Sequence, residues 1–232
     1  AMHRAGAAII DVGAESTRPG AAELAVADEL ARLAPLWPGL AGLPVSIDTR
    51  KAPVMAAALE SGAMIVNDVS ALTHDPAAVG LVAARSCPVI LMHHQGTPET
   101  MQRDPQYDDA LLDVFDWLEG RIAAATGAGI APDAIIADPG IGFGKGLAHN
   151  LAILKGLGLF HGLGVPILLG ASRKSLISRV AGEVPVEQRL PGSLAIALAG
   201  AQAGVQIIRV HDVAETVQAL ALWRACHAAL AL

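Results

Sequence analysis

Seven short runs of β-prone, almost unbroken apolar residues punctuate the chain: AAIIDV at 7–12, PVSIDT at 44–49, MIVNDV at 64–69, PVILMH at 88–93, AIIADP at 134–139, PILLGA at 166–171 and QIIRVH at 206–211. A strand that is apolar on both faces must be buried on both faces, which is what a parallel sheet covered by helices provides. This is the strongest constraint the sequence places on the fold.

Helical signals lie between the runs. Residues 52–61 carry Pro53 near the start, and Gly62 follows just past the end, the asymmetry expected of a helix. Asp75 and Pro76 predict the opening of the next one. Across 108–125, Leu111, Phe115, Leu118 and Ile122 recur at steps of four and three and predict one apolar stripe. Asp212 with Glu215 reads as a capping box for the last helix.

Alternation of strand and helix fits either a doubly wound open sheet or a closed (β/α)8 TIM barrel. Polarity separates the two. Asp11, Asp48, Asn67, Asp68, His93, Asp138, Arg173, Lys174, Arg209 and His211 all fall at or just after strand C-termini. Nearly every strand contributes, as at a barrel rim, whereas an open sheet gathers its site at one switch point. Seven of the eight barrel strands are identifiable, and the opening AMHRAGA reads as the end of a helix, so strand one and its loop are expected to be absent from this sequence. Residues 1–232 are expected to form a single domain, since no linker, low-complexity tract or repeat divides them.

Hydrophobic residues make up 53% of the chain and charged ones 16%, too apolar for disorder. The mean hydropathy of +0.48 owes much to Ala, and no uncharged apolar run is long enough for a bilayer. No membrane partner and a cytoplasmic location are the expectations, with no secretory signal visible. A net charge of −6 and 3% aromatic content argue against a nucleic-acid partner. Cys87 and Cys226 share no motif and are expected to be reduced, inert core thiols.

Asp48 and Asp138 end apolar strands and would point into a confined mouth, where an uncompensated anion is costly. They are therefore expected to face a cation or several N–H donors, the alternative being that each caps a helix or pairs with a nearby Lys or Arg. Asn67 adds a donor and an acceptor, and the set suits a nitrogen-rich heterocycle. The opposite side is basic. GASRKS at 170–175 sets Arg173, Lys174 and Ser175 at a strand-to-helix junction that favours anions. Arg209 and His211, two residues apart on the last strand, share a face and together suit phosphate; Arg209 alternatively pairs with a barrel carboxylate. DPGIGFGKG at 138–146 lacks Walker spacing, and its glycines predict a tight loop that exposes Phe143 for stacking. His93 and His94 lack zinc-motif spacing, and Met92 reads as packing.

DVGAESTRPGA, SIDTRK, VNDVS, LMHHQGTPETMQ, DPGIGFGKGLAHNL, GASRKS and RVHDV occur in the order and spacing of the dihydropteroate synthase family, which the chain resembles over essentially its whole length. The resemblance implies a transferase of folate biosynthesis, the target of sulfonamides. It would condense 6-hydroxymethyl-7,8-dihydropterin diphosphate with p-aminobenzoate, releasing dihydropteroate and diphosphate, with Mg²⁺ as cofactor. It implies that Asp48, Asn67, Asp138 and Lys174 hold the pterin with Met92 beneath it, and that Thr17, Arg209 and His211 meet the diphosphate. Arg18, Pro19, Phe143 and Ser175 would line the p-aminobenzoate side. Asp48, Asp138, Lys174, Arg209 and His211 are the expected catalytic set, and the loop around 17–20 is expected to close over the site. No metal ligand is expected within this chain, because the family's Mg²⁺-binding Asn belongs to the first strand. His94 stands where the family often has Met, and Ala14 where it often has Gly. A homodimer through the later helices is implied as well. The alternatives are a pterin-binding methyltransferase, which has no need of a diphosphate clamp, or a non-catalytic pterin-binding subunit.

Overall fold

The computed structural model describes residues 1–16, 21–96, 100–101 and 103–227. Its strands are β1 (Ile10–Val12), β2 (Val45–Asp48), β3 (Ile65–Asp68), β4 (Val89–Met92), β5 (Ile135–Asp138), β6 (Leu168–Leu169) and β7 (Ile207–Ile208). Each lies inside one of the seven apolar runs. Between them run α1 (Val26–Leu33), α2 (Trp37–Leu40), α3 (Ala52–Glu60), α4 (Ala78–Arg85), α5 (Ala110–Gly127), α6 (Leu147–Lys155), α7 (Ser175–Ala181) and α8 (Leu190–Gln202), and α9 (Val213–His227) closes the described chain.

All strand pairs are parallel, and spatial order follows chain order. β1 to β5 form one ladder and β6–β7 another, joined by the bridge between Ala137 and Ile167. A doubly wound sheet reverses its order at a switch point; this one never does. It curls until its first and last strands face one another, because Arg209 after β7 reaches Asp11 of β1 and Asp48 of β2. This is the seven-strand portion of a TIM barrel.

Side-chain alternation splits the core in two. Val45, Ile47, Val66, Val89, Leu91, Ile135, Ala137, Ile167 and Leu169 face outward and pack with helix residues such as Val54, Met55, Val114, Leu118 and Ile153. The other face forms a separate inner cluster of Ile90, Ile136 and Leu168, with Ile65 and Ile207 against it. Burying Ile90, Ile136 and Leu168 contributes about 1.5–3 kcal/mol each, and with Ile65 and Ile207 packed against them they fill the interior with side chains.

On α5 the expected stripe does face the core: Leu118 is buried and Leu111, Phe115 and Ile122 pack against the cluster, with Ala110, Val114 and Ala125 buried beside them. Asp109 caps the helix start, accepting from Leu111 N–H at 2.9 Å and Leu112 N–H at 3.2 Å. Two local expectations need correction. The Asp212 carboxylate does not act in a capping box with Glu215 but holds Arg173. Cys87 is buried as expected, but Cys226 is exposed on α9 and is no core thiol. Asp75 does more than open α4: its two oxygens accept from Ala52 N–H at 2.8 Å and Ala77 N–H at 2.9 Å, tying the starts of α3 and α4 together. Among the described residues no helix is long and apolar enough to cross a membrane.

Candidate active site

Two residues beyond three of the inner-cluster positions, the same inward face turns polar: Ile65 is followed by Asn67, Ile136 by Asp138 and Ile207 by Arg209, whereas Met92 follows Ile90 and Gly170 follows Leu168; Asp48 follows Ser46 on β2. Period-two alternation thus stacks a chemical layer on an apolar one.

In that layer Arg209 Nη2 lies 2.6 Å from Asp11 Oδ2 and 3.2 Å from Asp48 Oδ2. Asn67 Nδ2 stands 3.3 Å from the same Asp11 oxygen. Asp138 Oδ1 accepts from Gly140 N–H at 2.7 Å. Gly170 separates Asp138 from Arg209: a Cβ there would stand 3.8 Å from both Asp138 Oδ2 and Arg209 Cβ. A larger residue would fill the space the two groups face.

Burial and the neighbouring Asp11 carboxylate push Asp48 up to about 7, against the pull of Arg209. Burial also raises Asp138, opposed chiefly by Lys174. Lys174 is pushed down to about 8 by burial, with Asp138 opposing. Carboxyl and ammonium groups whose protonation is brought toward neutrality inside one mouth mark a reactive site.

Lys174, the residue before α7, donates to the Ile141 carbonyl and lies 4.6 Å from the centre of the half-buried Phe143 ring. Ser175 is exposed at the first position of α7. His211 donates its backbone N–H to Ser172 Oγ at 3.2 Å, and its Nδ1 lies 3.1 Å from the same oxygen. Met92 is buried below the rim. The structure therefore gathers Asp48, Asn67, Met92, Asp138, Lys174 and Arg209, with Phe143 beside Lys174. Arg209 takes the alternative its sequence left open and pairs with carboxylates. Arg173 leaves the anion-binding side, its Nε donating to Asp212 at 2.9 Å. Thr17, Arg18 and Pro19 lie outside the described residues.

Sequence reasoning left three features out of the site. Asp11 shares Arg209 with Asp48, and its only signal was an acid ending a strand. Behind β1 and β2 sits a buried network: Lys51 Nζ donates to Glu29 at 2.8 Å and to Glu15, Arg50 Nε donates to Glu15 at 3.1 Å, and Thr49 Oγ1 donates to Glu29 at 2.7 Å. Glu15 also accepts from Leu24 N–H at 2.8 Å, so one carboxylate binds both ends of the segment after β1. The third feature is Lys145, wholly buried in the glycine-rich loop. Among the described residues no group of three or more His, Cys, Asp or Glu side chains is placed to hold a metal ion. Asp11 and Asp48, the paired carboxylates of the mouth, are both engaged by Arg209.

The sequence matches the pterin binding enzyme family over residues 1–211. It is 47% identical over 222 residues to the dihydropteroate synthase of Escherichia coli (strain K12), covering 94% of this chain and 78% of that protein. The fold superposes with a TM-score of 0.94 and 44% identity on Yersinia pestis dihydropteroate synthase in a sulfonamide complex, covering 98% of this chain and 83% of the other. The Xanthomonas albilineans enzyme with 4-aminobenzoic acid gives 0.93 and 44%, covering 98% and 82%. A carboxylate, amide and guanidinium layer at a barrel mouth, on a chain this close to those enzymes, places the protein in the pterin binding enzyme family, among the dihydropteroate synthases.

Proposed function

We propose that the chain condenses 6-hydroxymethyl-7,8-dihydropterin diphosphate with p-aminobenzoate, giving dihydropteroate and diphosphate. The observation that carries this reading is the sharing of Arg209 by Asp11 and Asp48 beside Asn67 and Asp138. Acids and an amide suited to the donor-rich edge of a pterin lie against one guanidinium suited to its leaving group.

In this reading Asp138, Asn67 and Lys174 bind the ring over Met92. Cleavage of the methylene C–O bond sends its electron pair to diphosphate and leaves a cation conjugated with the pterin. Asp48 and Asp138, ionised, stabilise that charge as it develops. Arg209 and His211 draw the departing anion, for which Arg209 must loosen its hold on the two acids. The p-aminobenzoate nitrogen then attacks the methylene carbon and releases a proton. Phe143 and Ser175 line the approach of p-aminobenzoate, and sulfonamides compete there as its look-alikes. Mg²⁺ would be held chiefly by substrate oxygens, since it keeps several waters and takes phosphate ligands in preference to a protein cage, and it would neutralise charge on the leaving group.

A homodimer through α8 and α9 belongs to the same proposal; Val217 and Leu222 are exposed on α9, and sedimentation tests it. A cytoplasmic location is proposed with it, and cell fractionation tests that. The decisive assay follows diphosphate release by the purified chain with Mg²⁺. Release that requires both substrates supports the reading, and none from the complete mixture overturns it.

A further inference from the structure

Lys145 is fully buried, 1% exposed, and no step above uses it. Its ammonium has three protons and three close acceptors: the Gly140 carbonyl at 2.9 Å, the Phe143 carbonyl at 3.0 Å and His93 Nδ1 at 2.7 Å, with the His93 carbonyl further out at 3.4 Å. None of these is a carboxylate. Burial pulls the Lys145 pKa well below the usual lysine range, with Asp138 opposing; a buried cation is costly unless its donors are matched, and here carbonyl dipoles from two segments converge on it.

The wrapping has consequences at both ends of the loop. Turning the Gly140 carbonyl toward Lys145 leaves the Gly140 N–H on Asp138 Oδ1 at 2.7 Å. Gly140 sits at φ +66°, and a Cβ there would meet the His93 carbonyl oxygen at 1.9 Å, so the loop lies directly on the β4 rim. Turning the Phe143 carbonyl inward leaves its ring outside, beside Lys174. Between these two, the Ile141 carbonyl accepts from Lys174. Tyr107 Oη donating to the Gly144 carbonyl at 2.7 Å and Gly142 N–H donating to Asn150 Oδ1 at 2.7 Å hold the outer side.

We propose that Lys145 is a positioning residue: its ammonium gathers the 139–146 loop so that Asp138 on the pterin side and Phe143 on the p-aminobenzoate side are set by one internal contact. The inference rests on the site reading given above. A neutral acceptor at His93 is part of the device. Burial, with the Lys145 charge adding to it, pushes the imidazole down to about 2, so the ring is neutral and in the Nε2–H tautomer its Nδ1 accepts from Lys145.

The test compares Lys145→Met, His93→Leu, Phe143→Ala and Asp138→Asn with the parent enzyme. Lys145→Met is expected to raise KM for p-aminobenzoate at least tenfold and to weaken pterin binding at least threefold by calorimetry. His93→Leu, which removes one acceptor, should move both in the same direction by two- to fivefold. In the double variant with Phe143→Ala, the p-aminobenzoate effects should fall short of their product. If Lys145→Met folds and both constants stay within twofold, the proposal is overturned. If it does not fold, His93→Leu decides by the same two constants: movement of both supports the proposal, and constancy overturns it. Unchanged p-aminobenzoate KM in Phe143→Ala together with unchanged pterin affinity in Asp138→Asn would instead sink the underlying site reading.

Discussion

Arg209 and Asp11, 198 residues apart in sequence, meet at 2.7 Å between Nε and Oδ2 and so clasp the last strand of the sheet to the first. A second carboxylate, Asp48, stands on the same guanidinium. The contact that shapes the curl is also the contact proposed to receive the leaving group.

Removing this cation should therefore act on binding more than on folding. Arg209→Ala is expected to weaken the pterin diphosphate ester by tenfold or more while changing affinity for pterin without diphosphate by less than threefold. Nearly half of the Arg209 side chain is exposed, so solvent screening limits the stability loss to about 1 kcal/mol. Calorimetric titration with the two ligands makes the comparison; equal losses contradict the assigned role.

Asp138 is buried, and its carboxylate holds the Gly140 N–H. Asp138→Ala is expected to abolish measurable pterin binding while the circular dichroism of the barrel is retained. Because the substitution strands one N–H, a stability loss of about 1–3 kcal/mol should accompany it. Unchanged pterin affinity would refute the role given to this acid.

Asp48 yields a pH dependence. Its pKa is about 7 in the fold against 3.8 in the unfolded chain. Between these values the folded state retains a proton that the unfolded state has released, so stability falls as pH rises from about 4 to about 7. Asp48→Asn lacks this loss. Its melting temperature is expected to gain on the parent from pH 5 to about pH 7 and to level off above that, while pterin affinity drops. Parallel melting curves across that range would count against the raised pKa.

Behind the mouth, Lys51 lies between Glu15 and Glu29, both with nearly inaccessible side chains. Lys51→Met leaves two buried carboxylates short of their shared cation, a change that costs about 3–5 kcal/mol when a buried pair is broken. Urea denaturation should show the midpoint falling with little change in slope. A loss under 1 kcal/mol would mean that water or Arg50 compensates.

The strands were legible because burial on two faces leaves an unmistakable apolar run, and the mouth residues because period two carries the inward direction from Ile65 to Asn67, Ile136 to Asp138 and Ile207 to Arg209. What sequence could not convey depends on distance in the chain. The link from Arg209 to Asp11 exists only after the sheet curls. Glu29 reads as an ordinary acid in the first turn of α1, and its burial depends on Thr49 and Lys51 arriving from another strand end. Lys145 stands among glycines that announce a turn, yet its placement follows from carbonyls folded over it by His93 and Phe143. Asp212 carried a proper capping signal, but Arg173 offered a charged partner that a backbone N–H could not match.

Five aliphatic side chains, Ile65, Ile90, Ile136, Leu168 and Ile207, pack together immediately under the polar rung. A molecule entering from above meets this apolar floor, which limits how deep it can reach and keeps recognition on the rung above. Changes that alter what lodges on that rung can accumulate without disturbing the foundation beneath.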